Sequence, residues 1–91
     1  MRIKPNRISK LIKHKRLELG VSQAELARLL GWSKPNTQYI SNIERNACNF
    51  PARSITELIR VTSIDAESII NAMTEDYRDS LKGAIYETTK I

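Results

Sequence analysis

The stretch from Val21 to Asn46, VSQAELARLLGWSKPNTQYISNIERN, limits the fold most tightly, because it encodes a helix, a stop and a second helix in quick succession. Ser22 and Glu25 stand in the S-x-x-E relation, in which the serine hydroxyl accepts the N3 amide and the glutamate reaches back to the serine amide. This predicts a helix over Gln23 to Leu30 with Leu26, Ala27 and Leu30 on one face, and Gly31 stands where such a helix leaves through a left-handed residue. The second helix is predicted to begin between Lys34 and Thr37, capped by Ser33 or Asn36, and to bury Ile40 and Ile43. Its other face is a row of hydrogen-bonding side chains: Thr37, Gln38, Ser41, Asn42 and Arg45.

A short helix held by a second short helix, and presenting such a row, suits insertion into a major groove. The residues Gly20 to Ala27 (GVSQAELA), Leu30-Gly31 and Ile40 to Asn46 (ISNIERN) resemble the helix-turn-helix of the lambda-repressor/Cro-like (XRE-type) DNA-binding family, with a looser match over about residues 7 to 71. The resemblance implies an all-α, five-helix domain with a 7–71 core whose second and third helices form the helix-turn-helix; outside it, residues 1–6, with Arg2 and Lys4 before Pro5, are expected to be an arm or frayed tail, and 72–91 a C-terminal helix extension. One departure stands in the middle of the motif. Eight residues, Trp32 to Tyr39, separate Gly31 from Ile40, about three more than the family spacing, so the turn around Ser33-Lys34-Pro35 is expected to be extended.

Composition excludes several other classes. Ninety-one residues, 41 % hydrophobic and 5 % aromatic, suffice for one small helical core. Apolar runs of membrane-spanning or signal-peptide type are lacking, so a cytoplasmic protein without membrane partner is expected. A lone cysteine, Cys48, and a lone histidine, His14, cannot build a Cys/His zinc site or an internal disulfide, and Cys48 is expected to be a small filler. Catalytic triads and glycine-rich phosphate loops are also missing, so neither an enzyme nor a cofactor is expected. The charge is asymmetric: residues 1–60 hold 12 Lys and Arg against 4 Glu, a balance of +8, whereas residues 61–91 hold 3 against 6 Asp and Glu, a balance of −3. The basic part coincides with the helix-turn-helix, which suits attraction to phosphates as well as an ordinary solvated surface.

Along the rest of the chain, helix 1 is predicted from Asn6 or Arg7 to Gly20, with Ile8, Leu11, Ile12 and Leu19 as its apolar side. Ile55, Leu58, Ile59 and Thr62 give helix 4 a stripe, beginning near Pro51 to Ser54. Asp65 is placed to cap helix 5, with Ala66, Ile69, Ile70 and Met73 on its inner face. Ile70, Met73, Tyr77, Leu81 and Ile85 continue at helical spacing towards Glu87, more apolar stripe than so small a domain buries within itself. These residues are either a homodimer seam or a tail that folds back over its own core or frays.

The resemblance also assigns roles. It sets Arg16 opposite Glu44 as a partly buried ion pair, the other reading being an exposed Arg16 on phosphate. It brings Gln23, at the first turn of helix 2, towards a phosphate, and Arg53 into a region of backbone contact. Asn49 and Arg53 are phosphate candidates or plain loop polarity. Gln38 and Asn42 are the leading base readers, since an amide can pair with adenine N6 and N7 together; Thr37 and Ser41 are shorter companions. Lys34 and Asn36 read bases or backbone, Tyr39 supports a phosphate or packs, and Arg45 completes the phosphate set. Trp32 is expected to wedge the turn rather than stack on bases. A double-stranded-DNA-binding transcriptional regulator acting as a homodimer is the leading function, and an antitoxin or adaptor with a protein partner on the Ile70 to Ile85 surface is the alternative. Phage-type repressors, restriction-modification controllers and antitoxin regulators share such domains.

Overall fold

Helices α1 (Arg7–Leu19), α2 (Gln23–Leu29), α3 (Thr37–Glu44), α4 (Ile55–Thr62) and α5 (Ala66–Thr89) follow one another, with a 3-10 turn at Ala52–Ser54 leading into α4. The computed structural model describes residues 6–32 and 37–89, with side chains described to residue 86, and the described residues contain no strand. Among the described residues the fold is therefore all-α with five helices. Met1 to Pro5 of the expected arm, and Ser33, Lys34, Pro35 and Asn36 in the expected extended turn, lie outside the described residues.

Local chemistry explains the boundaries. The Glu25 amide donates to Ser22 Oγ at 3.0 Å, which starts α2. The reciprocal half of the expected capping box is replaced: the Glu25 carboxylate is taken by Arg28 one turn on, with Nε to Oε2 at 2.9 Å, because a two-pronged charge-assisted contact outcompetes one neutral amide. Gly20 and Gly31 adopt φ of 74° and 79°, the left-handed region that lets a helix end and the chain turn at once. Asn46, with φ 62°, does the same after α3, where the Ala47 amide donates to the Asn42 carbonyl at 2.8 Å. Asp65 Oδ2 accepts the Ser68 amide at 3.2 Å at the start of α5.

The core is one cluster to which every helix contributes: Ile8 and Ile12 from α1, Leu26 and Ala27 from α2, Ile40 and Ile43 from α3, Leu58 from α4 and Ile69 from α5, with Leu30, Phe50 and Ile64 from the connections. Three expected core positions move outward. Leu19 is exposed because the chain turns away at Gly20 before that side chain reaches a neighbour. On α5 the inner line passes through buried Ile69 and partly buried Met73, leaving Ala66 exposed and Ile70 half exposed, since Ile70 lies about 100° round the helix from Ile69.

The first half of α5 is tied to the start of α1 by a contact that spans most of the chain. The Asp76 carboxylate accepts the Arg7 and Ile8 amides, both at 3.1 Å, in place of a local side-chain cap, which Asn6 does not supply. The Arg7 guanidinium then reaches Asp76 at 3.3 Å and Asp79 at 2.7 Å. Hydrogen bonding to Asp79 is the main reason its pKa lies above the ordinary arginine value. Replacing Asp76 by alanine removes a carboxylate from two unpaired amides and is expected to cost about 1 kcal/mol, read as a lower urea midpoint. A fall in the protection of the Arg7 and Ile8 amides against hydrogen exchange would locate the loss.

Beyond that contact α5 is less covered. Tyr77, Leu81, Ile85 and Tyr86 are 66 %, 45 %, 58 % and 62 % exposed. Tyr77, Leu81 and Ile85 follow four-residue steps and share one side with Ile70, adjacent to the line that meets the core. No helix among the described residues is long and apolar enough to cross a membrane.

Candidate nucleic-acid interface

Ile40 and Ile43 are essentially inaccessible and seat α3 on the core, which turns the opposite arc of that helix outward. At 3.6 residues per turn, Thr37, Ser41, Arg45, Gln38 and Asn42 fall within about 140° of one another, on the side away from those isoleucines. Gln38 and Arg45 are exposed, and Thr37, Ser41 and Asn42 are partly so. The five side chains are thus brought together on one accessible surface.

Three of them are already joined. Gln38 Nε2 donates to Asn42 Oδ1 at 3.1 Å, and Arg45 Nη2 donates to the same oxygen. The chain Gln38, Asn42, Arg45 runs along the outer face at i, i+4 and i+7, a spacing that places the members one above the other.

Behind this face lies a charged node. Arg16 Nε and Nη2 reach Glu44 Oε2 and Oε1 at 2.6 and 3.0 Å, while Arg16 Nη1 donates to the Val21 carbonyl at 2.9 Å. Gln23 Nε2 adds a donor to Glu44 Oε1 at 3.1 Å. The two charged side chains are 10 % and 3 % exposed, so the pair is shielded from solvent rather than a surface bridge. Hydrogen bonding to Glu44 raises the Arg16 pKa above its ordinary value, against the lowering effect of burial. Because Arg16 sits on α1, Val21 between α1 and α2, Gln23 at the start of α2 and Glu44 at the end of α3, one node sets the mutual placement of the helix-turn-helix and its support. It engages all three Arg16 nitrogens and commits the Gln23 amide nitrogen to Glu44.

An aromatic stack lies beside α3. Trp32 lies against Tyr39 with centroids 5.2 Å apart and planes at 20°, and against Phe50 at 5.8 Å. The stack packs Trp32, which follows α2, against Tyr39 within α3. The Tyr39 hydroxyl donates to the Asn49 carbonyl at 3.3 Å, joining α3 to the loop that follows it. Asn49 and Arg53 are exposed in that loop and in the 3-10 turn. Cys48 is partly buried against the core. Lys34 and Asn36, expected to take part in recognition, lie outside the described residues.

The sequence reading missed Phe50, Ile64 and the Asp76 cap. Phe50 and Ile64 are isolated apolar residues in connections, without a periodic signal; Asp76 acts on amides 68 and 69 positions away, a distance that no local spacing signals.

The five-helix fold and the outward row of α3 fit a helix-turn-helix domain of the lambda-repressor/Cro-like (XRE-type) kind. The chain is similar to the restriction-modification controller protein C.Esp1396I, whose wild-type crystal structure superposes with a TM-score of 0.59 at 26 % identity, over 90 % of this chain and 99 % of that one. No family model matches the sequence, and no curated protein matches it.

Proposed function

We propose that this protein is a sequence-specific, double-stranded-DNA-binding transcriptional regulator that inserts α3 into the major groove. The observation that carries the reading is the geometry of α3, whose polar arc is outward and whose apolar arc is clamped to the core. Gln38 and Asn42 read base edges, with Thr37 and Ser41 beside them and Asn36 as a further base contact. Gln23, Lys34, Tyr39, Arg45, Asn49 and Arg53 form the surround that meets phosphates, where contacts set register without selecting sequence. The likeness to a restriction-modification controller over nearly the whole of both chains favours that branch of regulators over phage repressors or antitoxin regulators. Binding of a random-sequence duplex pool tests the function: one sequence should be enriched, and Gln38→Ala and Asn42→Ala should each weaken the selected site by about 1–3 kcal/mol with little change on unrelated duplex. Equal losses on both duplexes would assign these residues to non-specific attraction instead.

The protein acts as a homodimer through α5, with Ile70, Tyr77, Leu81 and Ile85 in the seam and Met73 at its inner margin. The exposed apolar side supports this, because a two-fold pair of α3 helices can address successive major grooves one turn apart. Leu81→Glu places a charge in the seam while sparing the Asp76 contact with α1, and sedimentation equilibrium should then show monomer at concentrations where the parent is dimeric. A variant that sediments as the parent would favour the same surface serving a protein partner of adaptor or antitoxin type.

A further inference from the structure

The contacts of one side chain, Asn42, narrow what α3 can read. An amide oxygen has two lone pairs, and Asn42 Oδ1 is the acceptor for two donors, Gln38 Nε2 and Arg45 Nη2. The orientation of the amide follows from chemistry: a guanidinium only donates, so the atom that faces Arg45 must be the oxygen. The Nδ2 hydrogens are the part of the amide that these two contacts leave over, and Asn42 has no free lone pair to offer. Gln38 differs. Its contact with Asn42 uses one Nε2 hydrogen, and its Oε1 and second hydrogen retain the acceptor-donor pair that matches adenine N6 and N7.

We infer that Gln38, Asn42 and Arg45 form one connected reading unit in which Asn42 is a donor-only reader selecting guanine, while Gln38 keeps the adenine pattern. The inference rests on the DNA-binding reading above and deepens it by naming the bases. Guanine presents two major-groove acceptors, N7 and O6, to the two Nδ2 hydrogens, whereas adenine would oppose them with its own N6 donor. Arg45 is a positioning residue here: it holds the Asn42 oxygen from one side and thereby decides which end of the amide meets the base.

The test is random-site selection of duplex DNA with the full chain, the parent beside Asn42→Asp and Arg45→Met, each variant first shown to melt as the parent does by circular dichroism. Asn42→Asp keeps an oxygen for Gln38 and Arg45 but turns the remaining donor into an acceptor. The base pair that responds to it should show guanine over adenine by roughly tenfold in the parent and a donor base, cytosine or adenine, in the variant. Arg45→Met frees one lone pair of Asn42, and adenine should then enter at that same pair, a change of base preference that loss of a phosphate contact alone does not produce. Adenine at that pair in the parent, or an unchanged preference in Asn42→Asp, overturns the donor-only assignment while leaving the DNA-binding reading in place. Guanine retained undiminished in Arg45→Met overturns the connected unit. A parent that enriches no sequence at all overturns the DNA-binding reading itself and this inference with it.

Discussion

Replacing Arg16 by alanine is expected to lower the unfolding free energy by about 3–5 kcal/mol, a large share of the stability of so small a domain. The cause is what the substitution leaves behind. Glu44, 3 % exposed, would keep Gln23 as its remaining partner in the node and lose the cation that compensates its desolvation. Glu44→Ala should cost a similar amount by stranding the guanidinium. The double replacement Arg16→Met with Glu44→Leu removes both charges and fills a similar volume, so it should be less destabilised than either single variant. Urea unfolding of the four proteins checks this, and a double variant whose loss equals the sum of the singles would mean that the two residues act independently. Because the node joins α1, α2 and α3, the single variants are also expected to weaken operator binding in the folded state, by loosening the angle at which α3 is presented.

Ile40→Ala is the second large effect. Ile40 has no accessible surface and lies beneath α3, so its truncation removes buried methyl groups and leaves a cavity that the helices on either side close only in part. The expected cost is about 2–5 kcal/mol in the urea midpoint analysis. It should exceed by several-fold the effect of Leu19→Ala, whose side chain is 44 % exposed although it belongs to the same class of apolar helix residues. A similar loss at both positions would contradict the placement of α3 on the core.

Together these variants separate support from recognition. Arg16, Glu44 and Ile40 hold α3 in place, whereas Gln38, Asn42 and Arg45 face away from that support and carry little of the fold. Stability and operator specificity are therefore expected to vary nearly independently across the two sets, apart from the loss of alignment when the node is broken.

Much of this arrangement was legible in the chain because it depends on neighbours in sequence. Ser22 starts α2 through an amide three residues on, Gly31 ends it through its own φ, and the isoleucines three apart in α3 choose which side of that helix is buried. Such interactions have short range, so residue type and spacing suffice to specify them. Tertiary structure decided the rest. Asp76 on α5 was chosen as the cap of α1, and Glu25 was given to Arg28 in place of the Ser22 amide. The Asn42 oxygen was shared between Gln38 and Arg45, and the inner line of α5 settled on Ile69 and Met73 with Ile70 turned outward. Each of these outcomes is a competition among several eligible donors, acceptors or apolar surfaces, and distance in the folded chain, which local spacing does not encode, determines which one prevails.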